Sequence, residues 1–353
     1  MYIANPDRTM ESFLLSDIEN IAVTSSKYTD PNIKAYSVQN QNIKDFHKIL
    51  VPTSAGENHI GGASVSPDFK IQGEPVDVAF VGRRPVGILL KELTTPGNYI
   101  IYRKNNQTFI TTEATPTGGE LLNLVYQPQY LFFEFVGGGG GSGGSSLLDG
   151  GQGGGGGAYI FNACCCNNPI YLTIGSGGRG GDSNEDGYPG EATILKTTYE
   201  GTEYVFSATG GSLGHKATDD TGEDVYPVIT PANPWTDKVR LLSTAKGAGG
   251  GGKNESGRNV DTFTCIFDTP EQPTFTRGAL GGICEETKDL IGNTRITDCG
   301  GGGGACAFTA GAFAPYQNTV EGTRGAGASG HGHRAGNKHS GARGGDGVLY
   351  IYY

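Results

Sequence analysis

The chain has 353 residues, 61 of them glycine, and carries 36 acidic against 26 basic side chains for a formal charge of −10. That balance excludes the basic footprint of a general nucleic-acid binder and suits a protein that must stay dispersed. Length favours two domains over one. Nine glycines precede Gly137 and 52 fall in the 217 residues from there on, nearly a quarter of that segment against an average usage of roughly 7%. Composition therefore changes near Val136.

In chain order, the first expected element is an amphipathic helix over 10–21. Met10, Phe13, Leu14, Ile18 and Ile21 recur at helical spacing behind Thr9 as N-cap. It packs either on the domain behind it or against its own copies in an oligomer. No signal peptide is expected at Met1–Arg8, which lacks a basic start and an apolar core. No apolar run approaches the ~20 residues of a membrane helix, so folding in a cytoplasm is expected.

From 33 to 125 the signals are strands. Val76, Val78 and Phe80 alternate with Asp77 and Ala79. Val86–Leu93 and Tyr99–Tyr102 flank Thr95-Pro96-Gly97-Asn98, where proline followed by glycine suits a type II turn. Asn105-Asn106 then predicts a hairpin to Thr108–Thr112. Tyr130–Val136 is a continuous apolar strand running into Gly137–Gly141, and further glycine blocks follow at 143–144, 150–157, 175–181, 247–252, 300–304 and 325–347.

Four arrangements accommodate so much glycine. A flexible linker has no use for the apolar segments Ala158–Phe161, Ile170–Ile174 and Val348–Tyr353 between its blocks. Collagen needs glycine strictly at every third position, and Gly137–Gly141 and Gly153–Gly157 keep no such period. Disorder is opposed by the aromatic and β-branched flanks. The fourth is a bundle of polyproline-II helices, in which bare glycine backbones approach closely enough to bond one another. Many helices must then pack together, because ordering each residue costs ~1–2 kcal/mol. The expected fold is thus a mostly β module over 1–125 and a glycine-rich domain of packed polyglycine-II helices with short flanking strands over 126–353. Little α-helix is expected.

The seven cysteines include no C-x-x-C pair, and the adjacent Cys164, Cys165 and Cys166 do not readily bridge one another. They read as buried small apolar residues in a reducing compartment, with Cys299–Cys306 as a conceivable pair. Gly247–Asn254 nearly spells a phosphate-binding loop, but Asn254 stands where Ser or Thr must hold Mg²⁺. Asp219, Asp220, Glu223 and Asp224 form an acidic insert without the spacing of a calcium loop. His331 and His333, with His339 nearby, offer imidazoles for a metal or else a polar surface loop. No catalytic constellation stands out, no enzyme activity is expected and no cofactor is called for. Tyr188, Tyr199, Tyr226, Trp235 and Phe275 are candidates for a recognition surface, since aromatic rings dominate binding hot spots. The alternative is that they cover the open ends of the bundle.

The run Tyr130-Leu-Phe-Phe-Glu-Phe-Val-Gly-Gly-Gly-Gly-Gly resembles the opening of glycine-rich domains in phage tail fibres and tail-tip adhesins. Gly153–Ile160 with Tyr171–Gly181 resembles their middle, and Ser340–Tyr353 their closing strand, so the likeness covers about 130–353. It implies a virion protein of the tail whose polyglycine-II scaffold presents loops to a bacterial outer-surface receptor, protein or polysaccharide. The N-terminal module would then attach to other tail proteins or form a homotrimer, with no nucleic acid and no membrane insertion. A structural assembly protein and a hydrolase of surface polysaccharide are the alternatives.

Overall fold

The computed structural model describes residues 2–4, 10–12, 33–35, 50–52, 70–71, 74–75, 89–112, 118–122, 130–146, 149–216, 220–265, 275–284, 287–288, 294–295, 300–315, 318–332 and 338–352. The chain divides into two compact units: Met1–Ile88 with Phe267–Pro273, and Leu89–Ile266 with Thr274–Tyr353. Described residues of the first unit form three antiparallel pairs: β1 (Tyr2–Ala4) with β2 (Met10–Ser12), β3 (Ile33–Ala35) with β4 (Leu50–Pro52), and β5 (Lys70–Ile71) with β6 (Glu74–Pro75). Met10–Ser12, the start of the expected helix, is thus a strand. Residues 13–21 and the alternating segment 76–80 lie outside the described residues.

The second unit is built on two antiparallel sheets. Seven strands run in the order β10 (Glu120–Leu121), β9 (Gln107–Thr111), β8 (Gly97–Lys104), β13 (Ile170–Ile174), β14 (Thr193–Tyr199), β15 (Thr202–Ala208) and β16 (Val228–Thr230). Five run in the order β17 (Val239–Ala245), β12 (Tyr159–Cys165), β11 (Tyr130–Val136), β22 (Val348–Tyr352) and β7 (Leu89–Leu93). The sheets share one apolar core, in which Ile101, Ile170, Leu172, Leu195 and Phe206 of the first meet Leu131, Phe133, Phe135, Ile160 and Ile351 of the second. β7, β8, β9 and β10, which fall within the expected 1–125 module, are therefore strands of the same two sheets that feed the glycine-rich segment.

Asn105 and Asn106 have φ of 52° and 59°, the left-handed pair that a two-residue hairpin requires, and they join β8 to β9 as expected. The Thr95–Asn98 link differs from its expected turn. Gly97 has φ of 149°, and the link carries the chain from β7 in one sheet to β8 in the other. A turn between neighbouring strands would have kept both in a single sheet.

β11 is buried on both faces because the side turned from the core is also covered. There Tyr159 packs on Phe263 of β18 (Val260–Cys265), with ring centroids 5.1 Å apart, and β18 pairs with β19 (Phe275–Ala279). Glu134 is the one charge in β11, and it is fully buried. Its two oxygens accept both arms of the Arg277 guanidinium at 2.6 and 2.7 Å, and hydroxyls from Tyr159 at 2.8 Å and Tyr352 at 2.9 Å. Four donors replace the water this carboxylate gives up on burial. Burial would lower the Arg277 pKa, but the Glu134 carboxylate more than offsets it and raises it.

Seven strands meet the glycine-rich part at the same end, through Gly137, Ala158, Gly175, Ala192, Thr209, Lys246 and Gly347. In the bundle segments themselves the described residues form no helix, and their amides pair between segments with a period of three. Gly138, Gly141 and Gly144 donate to Glu191, Tyr188 and Glu185. Gly139, Ser142 and Ser145 donate to Gly345, Ala342 and His339, while Gly140 and Gly143 donate to Gly155 and Gln152. The same segment accepts from Gly178 and Gly181, from Gly211 and Gly214, and from Ala328. Segment 137–145 thus has six neighbours, three reached by its donors and three by its acceptors.

That close approach explains the sequence. A Cβ on Gly139 would lie 2.0 Å from the carbonyl oxygen of Ala326. Segments 137–145, 150–158 and 300–306 are buried throughout and are almost wholly glycine, alanine and serine. Larger side chains appear every third residue where a segment faces solvent, as in Ser176, Arg179 and Asp182, or Ser340, Arg343 and Asp346. Leu280 and Ile283 are exposed with the same spacing.

Cys164, Cys165, Cys166, Cys284 and Cys306 are all buried, as expected for small apolar side chains, and Cys164, Cys165 and Cys306 are free thiols. Cys299 of the conceivable Cys299–Cys306 pair lies outside the described residues. Burial pushes the Cys306 thiol up to about 11 and raises Cys164 further, so both stay protonated and unreactive at neutral pH.

Candidate functional site

Because every segment leaves the sheets in the same direction, the connections between segments gather at the far end of the bundle. The three-residue ladder locates them. Ser146 bonds Asp149, Gly144 bonds Glu185, Gln152 bonds His215, Gly151 bonds His331 and Ser145 bonds His339, all at the end remote from Gly137. Described residues 146 and 149, 182–186, 215–216 and 220, 252–255, and 332 and 338 therefore lie at one tip.

The tip is polar, and its turns are tied to one another. Lys253 bonds Asp149 at 2.6 Å. Asp186 accepts the Lys216 amide at 2.8 Å and faces His215 Nδ1 at 3.3 Å. The Lys216 amide, more than any other group, holds the Asp186 carboxyl below its ordinary value. Gln152 is fully buried in the glycine run beneath, accepts the His215 amide at 2.8 Å and donates to the Asp220 carbonyl. The rings of His331 and His339 stack at 4.0 Å, 8° from parallel. Burial, then the neighbouring His339, lowers the His331 pKa, which favours neutral imidazole. The His339 Nε2 is buried without a partner. His333 lies outside the described residues, and among the described residues no group of three or more metal-ligating side chains occurs.

The expected aromatic residues are not brought together. Tyr188 is 49% exposed on the bundle flank, with the Arg179 guanidinium 5.0 Å from its ring. Tyr226 is 65% exposed near the sheet end, where its carbonyl accepts from Thr209. Trp235 is 63% exposed but belongs to the turn before β17, at the pole of the sandwich away from the tip, with Arg240 5.6 Å from its ring. Tyr199 is a correction: it is 6% exposed, in the core, and its hydroxyl donates to the Cys165 carbonyl, so it packs and recognises nothing. Phe275 begins β19 opposite Cys265. Residues 220–240 run from the tip back past the sheets to the opposite pole.

Other motifs resolve into scaffold. The phosphate-loop lookalike donates its Gly251 amide to Gly302, and no helix follows it. Asp224 of the acidic insert faces Lys246 at 2.8 Å, Arg258 at 3.6 Å and the Gly249 amide at 2.9 Å, so protein cations and an amide occupy it. A cleft of about 420 Å³ opens at the sandwich edge between β7 and β9, lined by Tyr99, Thr95, Thr111 and Glu92, with the Lys91–Glu120 pair at 2.7 Å across it.

What the sequence signals missed at the tip is pairing between distant turns. Gln152 is the one position where a signal existed, since it is the only long polar side chain inside Gly150–Gly157. No curated protein matches the chain. A family model described as a glycine-rich domain matches residues 118–353. With two thirds of its length matched, from β10 through the bundle to the closing strand, the chain belongs to this glycine-rich domain family.

Proposed function

We propose that this chain is a non-enzymatic receptor-binding adhesin of a phage tail fibre or tail tip, whose glycine segments are polyglycine-II helices that carry loops to a bacterial surface receptor. The observation that carries the reading is the gathering of turns at one end of a bundle whose other end is fixed to a β-sandwich. A backbone with three residues per turn directs its amides in three directions, and the three-residue period with six neighbours around 137–145 is what packed helices of that kind require. Rigid placement of polar loops limits the ordering entropy paid on binding. The resemblance of the opening, middle and closing segments to tail adhesins supplies the biological setting, a virion tail assembled in the host cytoplasm.

The test is binding of the purified full chain to intact cells of candidate hosts, beside a variant in which residues 216–220 are replaced by a glycine-serine turn. Binding by the parent and at least tenfold weaker binding by the variant is expected. Failure of the parent on every candidate host overturns the adhesin reading and favours a structural assembly role. Release of oligosaccharide from envelopes would favour the hydrolase instead.

A further inference from the structure

Two clefts meet where the sandwich joins the bundle, and Thr94 lines both. The larger, of about 420 Å³, runs along the edge strand β7, and the smaller, of about 220 Å³, lies between Thr94 and the bundle. Small-ligand sites occupy roughly 300–1,000 Å³, a range the larger cleft reaches by itself. Six charged side chains line the two clefts, and all six are matched. Lys91 pairs with Glu120 at 2.7 Å, Arg324 with Glu92 at 3.3 Å, and Arg343 with Asp346. The groove therefore carries no net charge. An anion entering it would have to displace a carboxylate, and a cation would have to displace an ammonium or a guanidinium. An apolar molecule fares no better, since Leu93 and Ile110 are buried beneath the lining and Thr94 and Thr95 are exposed in it. What fits is a neutral molecule that donates and accepts at several points, as hydroxyl groups do.

The groups that would meet it are already held in place. Arg324 has φ of 44°, a left-handed conformation that side-chain-bearing residues rarely adopt. Its guanidinium is held by Glu92 and donates to the Tyr350 hydroxyl at 3.3 Å. The Tyr99 hydroxyl donates to the Thr95 carbonyl at 2.9 Å, which fixes a ring that lines the larger cleft. Exposed ion pairs add little stability, so three of them along one groove are explained by what they present to a ligand. We propose that this junction groove binds a neutral saccharide. Thr94 stands at its centre, the Tyr99 ring supplies an apolar platform, and the Glu92–Arg324 pair supplies acceptor and donor for adjacent hydroxyls. The site is separate from the tip and does not rest on the adhesin reading.

The test is a nuclear magnetic resonance titration of the full chain with maltose, cellobiose, lactose and diacetylchitobiose, beside glucuronate and inorganic phosphate. At least one of the four neutral disaccharides is expected to give saturable shifts at the Thr94, Thr95 and Tyr99 amides with millimolar affinity, and the two anions none. Thr94→Val, a change of similar volume at an exposed position, is expected to weaken that binding about fivefold by loss of one hydroxyl. Glu92→Gln leaves Arg324 without its carboxylate and is expected to gain shifts with glucuronate. No saturable shift at these amides with any of the four sugars overturns the proposal. Tighter binding of glucuronate or phosphate than of the sugars by the parent overturns the neutral class. Undiminished sugar binding by Thr94→Val overturns the placement of the site, and a Glu92→Gln variant that still ignores glucuronate overturns charge matching as the basis of its selectivity.

Discussion

The sandwich and the glycine bundle of the second unit bury backbone by opposite means. In the sandwich, ladders satisfy the amides, and stability comes from side chains such as Phe133, Phe135 and Phe206 removed from water. In the bundle there is little side chain to bury, and close backbone packing pairs the amides of one segment with three neighbours and its carbonyls with three others. The lesson is that the two regions fail differently. The sandwich is vulnerable to what is removed, the bundle to what is added.

The largest expected effect breaks the sandwich by removing one charge. Arg277→Met leaves Glu134 buried among hydroxyls with no cation, and should cost about 3–5 kcal/mol in denaturant unfolding. Adding Glu134→Met should recover most of that loss. Next, a single methyl should break the bundle: Gly139→Ala meets the Ala326 carbonyl at 2.0 Å and is expected to cost about 3 kcal/mol. The same methyl removed from the sandwich core should be milder, with Ile101→Val costing about 1 kcal/mol. If Gly139→Ala proves as mild as Ile101→Val, the contrast between the regions fails. Smallest is an effect of pH confined to the tip. The Asp186 pKa is depressed in the folded protein. Its stabilisation is thus complete above the ordinary carboxylate value and is lost as pH falls through the lower folded value. The Lys216 amide resonance should shift only below about pH 3.8, while resonances of the sandwich core stay in place.

Much of this was readable in the chain, for local reasons. Asn105-Asn106 announced its hairpin because asparagine tolerates the left-handed region, whereas Glu200-Gly201, with φ of 51° and 79°, makes a similar turn between β14 and β15 with a weaker signal. The unbroken apolar run 130–136 announced a strand, and the structure showed both its faces covered. At the tip, Gln152 could be noticed but not interpreted, since His215 and Asp220 lie more than sixty residues away in sequence. Tyr199 and Trp235 looked alike as aromatic candidates, and only burial separated them.

The sequence by itself determined that glycine blocks of this kind pack as backbone against backbone, because no other residue lets chains approach so closely and because strands bracket the blocks. Only the tertiary structure decided which segments are neighbours, that the chain crosses between sheets at Thr95–Asn98, and that turns far apart in sequence meet at one tip. Backbone hydrogen bonds carry no side-chain label, so nothing in a run of glycines states which other run will answer it.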